Sequence, residues 1–371
     1  MSLPRKLFIQ VIGLFIICTF FFNCGHKGSN GSPNSGVVPR PGQQSRKKEQ
    51  LTIGFSIATA TFIIERWNKD LKVFTGAAKE MGADVIVQLS AGGVQEQISQ
   101  INYMVNQNID ILVVIAHDTE LISGAIKQIR EAGIPVIAYD RLIYGVPLDA
   151  FISFDNLDVG RNFGEALSIA VPKGRYLVVN GSIHDSNSFY VSEGLHEIID
   201  PLIKRGDIEL KREIWLEEWS SDEALEKIGM IFEETTDFDA ISCGNDDIAG
   251  AAIQLLSERR LAGKVAVVGQ DADLSACQRI MEGTQLMTVY KPIGKLGVRA
   301  AELAVSLARK ARGDAEAKTL QPDIMMDNNS GVSVPAYLEK VNAIYADNID
   351  DVIRDGFHSR DDVYRNVTIV Q

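Results

Sequence analysis

A regular alternation of short apolar runs with amphipathic stretches is the feature that most limits how this chain can fold. The first runs are rich in β-branched residues, as buried parallel strands are, and they occupy 51–57, 84–88, 110–115 and 135–138. Helical patterns lie between them, at 65–81, 94–107 and 119–132. Strand, helix and strand at this spacing predict right-handed crossovers and a parallel sheet.

The same rhythm begins again after residue 150. Further strands are predicted at 151–154, 175–179, 208–214, 239–242, 265–268 and 286–289. Helices are predicted at 157–170, 188–200, 221–234, 246–259, 273–281 and 292–310. These strands are too many for one sheet of ordinary size, and 371 residues are enough for two cores. The pattern therefore predicts an α/β protein with two doubly wound parallel-sheet lobes.

Polar side chains follow many of the predicted strands, which is where ligands bind in open parallel sheets. They are Asp140, Arg141, Asp155, Asn156, Asp185, Asn187, Trp219, Asn245, Asp271 and Lys291, and the run Glu65-Arg66-Trp67 opens the first helix. Carboxylate, amide and guanidinium groups bind adjacent hydroxyls in pairs, and a Trp ring offers a flat apolar face. The set predicts a pocket for a neutral ligand with many hydroxyls.

Some members of this polar set have a structural interpretation as well. Asp155, Asp247 and Asp273 stand where helix N-caps or turn-forming residues are expected. Trp67 and Trp215 are predicted to be packing residues. The prediction of a ligand pocket therefore depends on the whole set and not on any one residue.

The first 50 residues are typical of an export signal followed by a tether. Arg5 and Lys6 precede an apolar segment at 7–22, which predicts a signal peptide at 1–23. Cys24 is the predicted lipidation site, although Asn23 replaces the small residue that usually precedes such a cysteine. An uncleaved anchor or an ordinary signal cleaved nearby are the alternatives. Residues 24–50 are rich in Gly, Ser and Pro and predict a flexible tether.

Composition and missing motifs argue against several classes of function. The net charge of −12 disfavours nucleic-acid binding, and a signal and tether stand where a repressor of this fold would carry a helix-turn-helix. HExxH, GxGxxG, Walker and GxSxG motifs are missing, so no catalytic residue, cofactor or metal is predicted. Cys243 and Cys277 are expected to be reduced and buried, with a disulfide between them as the alternative.

From about residue 51 to 357 the chain resembles the D-xylose-binding proteins of bacterial sugar ABC transporters, which are type I periplasmic binding proteins. The runs that carry the resemblance are Glu65-Arg66-Trp67, Ala138-Tyr139-Asp140-Arg141, Ile152-Ser153-Phe154-Asp155-Asn156, Gly244-Asn245-Asp246, Gly269-Gln270-Asp271-Ala272-Asp273, Gly283-Thr284-Gln285, Met287-Thr288-Val289-Tyr290-Lys291-Pro292 and Asp355-Gly356-Phe357-His358. The stretch at 57–64 departs from the family pattern, and it borders the expected pocket.

The resemblance implies two lobes joined by three hinge segments, near 154–157, 289–292 and 325–330. The first lobe would comprise 51–155 with 291–327, and the second lobe 156–290 with 328–371. Sugar contacts would come from Arg66, Asp140 and Arg141 in the first lobe, from Asn187, Trp219, Asn245 and Asp271 in the second, and from Lys291 at the hinge.

The function that the resemblance implies is non-enzymatic sugar binding outside the cytoplasm. The protein would be a monomer that closes around a monosaccharide, D-xylose above others, and delivers it to the membrane permease of an ABC transporter. Another aldopentose or glucose is an alternative ligand. A membrane histidine kinase that senses the sugar is an alternative partner.

Overall fold

The computed structural model describes residues 50–58 and 64–366, with the side chains of residues 64–66 left aside. The predicted signal peptide at 1–23, Cys24 and the predicted tether up to residue 49 lie outside the described residues. Within the described part of the chain, no helix combines the length and the apolar character needed to cross a bilayer.

The described residues form two sheets with helices on both faces. The strands are β1 Leu51–Ala58, β2 Ala83–Ser90, β3 Ile111–Ile115, β4 Val136–Tyr139, β5 Ala150–Phe154, β6 Gly174–Ser182, β7 Ile208–Leu216, β8 Ala240–Cys243, β9 Ala266–Gln270, β10 Met287–Tyr290, β11 Ile324–Met326, β12 Val334–Glu339 and β13 Asn342–Ile344. The helices are α1 Ile64–Glu80, α2 Val94–Asn106, α3 Ser123–Glu131, α4 Asn156–Ala170, α5 Ser186–Arg205, α6 Ser221–Glu234, α7 Asp246–Glu258, α8 Leu274–Met281, α9 Ile293–Ala311, α10 Asp350–Arg354 and α11 Arg360–Val363.

The first sheet has the order β11-β12-β5-β4-β3-β1-β2, and the second has the order β13-β10-β9-β8-β6-β7. Within each sheet the strands run parallel, except for the edge strands β11 and β13, which pair antiparallel to their neighbours. Every residue of β1 and β3 is buried, as the continuous apolar runs of these strands predict. The prediction of two doubly wound lobes is therefore confirmed.

The predicted boundary of the lobes at 327/328 is wrong. The strand β12 pairs with β5 in the first sheet, from Ala336 opposite Phe151 to Glu339 opposite Phe154. The third crossing therefore lies between β12 and β13, and not near 325–330. The turn-forming residues at 327–331 link β11 to β12, and Asn328 ties this turn to the first lobe by donating to the carbonyls of Ile143 and Val146, both at 2.7 Å.

The third helix also begins later than the sequence predicts, at Ser123 and not at residue 119. The preceding residues form a turn, because the carboxylate of Asp118 accepts the backbone N–H groups of Glu120 at 2.9 Å and Leu121 at 2.8 Å. A side chain that satisfies these N–H groups replaces the first helical turn. Both Cys243 and Cys277 are free and buried, which confirms the prediction for these residues.

Helices α4 and α5 of the second lobe pack against each other through glycine. A Cβ atom added at Gly160 would lie 1.9 Å from the carbonyl oxygen of Val191, and one added at Gly194 would lie 2.0 Å from that of Leu157. Only glycine lets the two backbones approach this closely. The contact fixes α5, whose first turn carries Asn187.

We expect Gly160→Ala to destabilise the protein by about 1–3 kcal/mol, because the added methyl group must push α4 and α5 apart. Gly229→Ala is the matched control, since a Cβ atom there meets nothing within 4 Å. That control should raise stability by about 0.5–1 kcal/mol. Chemical denaturation measures both, and equal effects of the two substitutions would contradict the packing argument.

The imidazole of His196 ties α5 to the neighbouring strand β7. Its Nδ1 lies 2.7 Å from Asp200 Oδ1, and its Nε2 lies 3.3 Å from Glu213 Oε2. Hydrogen bonding to Glu213, and then to Asp200, raises the pKa of His196 from 6.5 to about 9. Between pH 6.5 and about 9, His196 therefore keeps a proton in the folded state that it has lost in the unfolded chain.

The sign of this pKa shift predicts how stability depends on pH. The contribution of His196 to the free energy of unfolding is complete below pH 6.5 and is lost as pH rises through about 9. The pair is a quarter exposed, so we expect a loss of about 1–2 kcal/mol across this interval. His196→Gln and Glu213→Gln should each flatten the profile when denaturation is repeated between pH 6 and 10. An unchanged slope in both variants would refute this assignment.

Candidate ligand-binding site

A cavity of about 410 Å³ lies between the two lobes, at the carboxyl ends of their strands. Side chains from both lobes line it: Trp67, Asp140 and Arg141 from the first, Asp185, Asn187, Trp219, Asn245, Asp247, Gln270, Asp271, Asp273, Leu274, Ser275 and Gln278 from the second, together with Lys291 and Arg365. Seven of the predicted site residues are therefore together. The eighth, Arg66, lies in the first turn of α1, and its side chain is outside the described part.

The first lobe contributes Asp140 and Arg141 just after β4. Asp140 has a φ of 65°, a left-handed conformation that is rare for a residue other than glycine. Two hydrogen bonds fix it, because its N–H donates to Ile152 O at 2.7 Å and its carbonyl accepts from Ser153 Oγ at 2.7 Å. Arg141 Nη1 donates to Ala116 O at 2.8 Å. The backbone around β4 therefore holds both side chains at the cavity.

Asp185 joins the lobes inside the cavity. Its Oδ2 atom lies 2.7 Å from Arg141 Nε and accepts from Trp219 Nε1 at 2.9 Å. Its Oδ1 accepts from the N–H of Asn187 at 2.9 Å, which caps α5. The side chains of Arg141 and Asp185 are only 9% and 3% exposed, so water screens their charges little. Asp185 was in the polar set found in the sequence but not among the predicted sugar contacts.

Asn187 forms a second link between the lobes. Its Nδ2 donates to Asp140 Oδ2 at 3.2 Å, and its Oδ1 accepts from Asn156 Nδ2 at 2.9 Å. The hinge residue Asn156 thereby sets which end of the Asn187 amide is the donor. The described conformation is consequently one in which the lobes touch across the cleft.

Trp219 approaches the cavity because Gly181 makes room for its ring. A Cβ atom at Gly181 would lie 2.2 Å from Trp219 Cη2, so the indole lies directly on the backbone of β6. Trp67 is buried in the first core, which confirms its prediction as a packing residue, and it also lines the cavity. Trp215 lies outside the cavity lining and stacks on Phe189, with ring centroids 5.0 Å apart.

The helix caps differ in part from those predicted. Asp155 caps α4 as expected, by accepting from the N–H of Asp158 at 3.0 Å. At α7 the cap is Asn245 and not Asp247, because Asn245 Oδ1 accepts from the N–H of Ile248 at 2.9 Å. Asp273 occupies the N-cap position of α8 without a side-chain capping bond. With its oxygen engaged, Asn245 keeps its amide N–H₂ to donate.

Carboxylates crowd the wall formed by the second lobe. Asp246 is fully buried and accepts from Thr288 Oγ1 and Gln285 Nε2, both at 2.7 Å. Burial raises the pKa of Asp246 and of Asp273 well above the usual range, and the neighbouring carboxylates raise that of Asp273 further. Asp271 is the charge-paired member, with Lys291 Nζ 3.3 Å from its Oδ1. This wall thus offers both donors and acceptors to a ligand.

Part of the cavity lining lies on α8 and in the C-terminal tail, residues 345–366, where the sequence pattern predicted no site. Ser275 and Gln278 are on α8, and Arg365 follows α11. The tail helices are four and five residues long and rich in charge, so their pattern carries no helical period to detect. Their placement beside the cavity follows from packing alone.

Comparison with known proteins identifies the family. A model of the periplasmic binding protein domain matches residues 55–312. The chain belongs to the periplasmic binding protein family. It is 41% identical over 322 residues to a D-xylose-binding periplasmic protein of Haemophilus influenzae, which covers 86% of this chain and 94% of the relative. It is 39% identical over 317 residues to the protein of that name from Escherichia coli, covering 85% and 93%.

Solved structures of ABC-transporter solute-binding proteins share the fold. The carbohydrate-transporter protein of Chloroflexus aurantiacus, in complex with D-glucose, has a TM-score of 0.75 at 25% identity and covers 84% of this chain and 98% of that one. The protein of Clostridium phytofermentans, with bound β-D-glucose, has a TM-score of 0.73 at 24% identity and covers 84% and 99%. The predicted type I fold is confirmed.

Family membership also confirms the predicted class of protein. The chain is an exported, periplasmic binding protein and not an enzyme, and two of the relatives that it matches are named D-xylose-binding periplasmic proteins. Among the residues that the structure describes, no group of His, Cys, Asp and Glu is arranged to hold a metal ion.

Proposed function

We propose that this protein binds D-xylose by closure of its two lobes and delivers the sugar to the membrane permease of an ABC transporter. The observation that carries the proposal is that Asp140, Arg141, Asn187, Trp219, Asn245, Asp271 and Lys291 line one cavity between the lobes. The two relatives named as D-xylose-binding proteins, at 41% and 39% identity, support the choice of sugar.

The charges of the cavity favour a neutral ligand. Arg141 is paired with Asp185 at 2.7 Å, and Lys291 is 3.3 Å from Asp271. A charged ligand would compete with one member of a buried pair and leave the other without a counterion, which is costly. Hydroxyl groups both donate and accept, so they can join these pairs without breaking them. A sugar therefore fits the electrostatics of the site.

Closure follows from the division of the site between lobes. Asp140 and Arg141 come from the first lobe, while Asn187 and Trp219 come from the second. A sugar bound to one lobe therefore gains the rest of its contacts only when the other lobe closes over it. A ligand that prefers the closed state shifts the population toward it. Each buried polar group left without a partner costs about 1–3 kcal/mol, and this cost discriminates against sugars with misplaced hydroxyls.

Isothermal titration calorimetry with a panel of xylose, arabinose, ribose and glucose tests the proposal. One chain completes the cavity, so we infer a monomer that binds one sugar per chain. We expect xylose to bind most tightly. Absence of heat with every sugar at millimolar concentration would refute sugar binding, and preference for glucose would refute the choice of xylose.

Asp271→Ala should weaken xylose binding at least tenfold, since it removes a carboxylate of the cavity and leaves Lys291 without its partner at 3.3 Å. Asp347→Ala, at an exposed position outside the cavity lining, is the matched control and should leave the affinity unchanged. Equal affinities of Asp271→Ala and the wild type would remove Asp271 from the site.

We further propose that Cys24 is lipidated and holds the protein at the membrane surface through the tether at 24–50. The support is the apolar segment at 7–22 that ends shortly before this cysteine. Metabolic labelling with a palmitate analogue should tag the wild type and not Cys24→Ala, and the variant should leave the membrane fraction. Equal labelling of both proteins would exclude Cys24 as the acylated residue.

A further inference from the structure

The C-terminal tail, residues 345–366, packs on α8 beside the cavity. Its apolar residues Ile349, Val352 and Val363 belong to one buried cluster with Ala272 and Cys277. A hydrogen bond from Gln278 Nε2 to Asp362 O, at 2.8 Å, holds the last turn of the tail on α8. The run Asp355-Gly356-Phe357-His358, which resembles the family, lies in this tail but has no role in the site described above.

The loop that carries Asp271 has an unusual backbone. Asp271 and Ala272 follow one another with φ values of 98° and 52°, and neither is glycine. Left-handed conformations of such residues cost about 1–3 kcal/mol each and persist only where the surroundings fix them. Two restraints come from β10, because Asp271 N–H donates to Val289 O at 2.8 Å and Ala272 N–H donates to Thr288 Oγ1 at 3.1 Å.

A third restraint comes from the tail. His358 Nε2 lies 2.7 Å from the carbonyl oxygen of Ala272. A carbonyl only accepts, so Nε2 carries the hydrogen and donates it. The bond holds the peptide between Ala272 and Asp273, one residue beyond Asp271.

Aromatic packing keeps His358 in place. Its ring meets the edge of Phe357, with centroids 4.7 Å apart, and Phe357 packs edge-on against Tyr290 at 5.1 Å. Lys69 Nζ, from the first lobe, lies 4.2 Å from the centre of the Phe357 ring. The tail thus contacts the first lobe at one residue and the Asp271 loop at the next.

We propose that His358 is a positioning residue of the sugar site. By holding the carbonyl of Ala272, it keeps the left-handed loop in the conformation that directs the Asp271 carboxylate into the cavity. The inference rests on the proposed function, in which Asp271 contacts the sugar. The tail then contributes to the affinity for the sugar as well as to the stability of the fold.

Two substitutions at His358 separate the hydrogen bond from the side chain as a whole. The amide nitrogen of Gln can reach the position of His Nε2, whereas Ala removes the donor. We expect His358→Ala to weaken xylose binding about three- to tenfold, as loss of one hydrogen bond does, and His358→Gln to stay within twofold of the wild type. Calorimetry on the full-length protein measures both.

Val352→Ala is the control for a loosened tail. Val352 is fully buried in the same apolar cluster, and its side chain has no group that can donate a hydrogen bond to the carbonyl of Ala272. We expect it to lower the melting temperature at least as much as His358→Ala, while leaving the affinity within twofold. If Val352→Ala weakens binding as much as His358→Ala, or if His358→Ala binds like the wild type, the proposal is wrong.

Hydrogen–deuterium exchange on the sugar-free protein tests the same proposal without a ligand. Amides 271–273 should exchange faster in His358→Ala than in the wild type or in His358→Gln. Unchanged exchange in His358→Ala would overturn the role of His358 even if sugar binding is confirmed. Failure of the wild type to bind any sugar of the panel would instead overturn the proposed function, and the exchange result would still decide whether His358 holds the loop.

Discussion

The ion pair between Arg141 and Asp185 joins the two lobes at a point where both side chains are almost fully buried. A buried pair of this kind is costly to break by removing one partner, since the remaining charge has no counterion. Around it, Trp219 donates to the same carboxylate and Asn187 links the second lobe to Asp140. The polar groups that hold the two lobes together therefore also form the binding surface. A ligand must place its own donors and acceptors opposite theirs to bind there.

Hydrogen bonds also determine the backbone conformation around the cavity. Each lobe presents an aspartate in a left-handed conformation just after a strand, Asp140 in the first and Asp271 in the second. In each case hydrogen bonds from the neighbouring strand hold the conformation, through Ile152 and Ser153 or through Val289 and Thr288. Strain of this kind fixes a side chain more narrowly than a relaxed loop would, which suits a site that must distinguish hydroxyl positions.

Glycine and the helix caps set the remaining geometry. Gly160 and Gly194 let α4 and α5 touch, and Gly181 lets the Trp219 ring lie on β6. Asn245 serves two purposes, because its oxygen caps α7 while its amide remains available in the cavity. These positions show why a sequence motif at the end of a strand can be structural and functional at once.

The amino-acid sequence is enough to predict the alternation of strands and helices, the division into two lobes and most of the cavity lining. It could do so because β-branched runs and helical periods are local signals, and because the carboxyl ends of parallel strands bring the residues that follow them together. Three features could be read only from the folded chain: β12 belongs to the first sheet, Asp185 pairs with Arg141, and the tail lies on α8. Those features join segments far apart in the chain, and the energy that selects them comes from burial and hydrogen bonding between partners that no local pattern specifies.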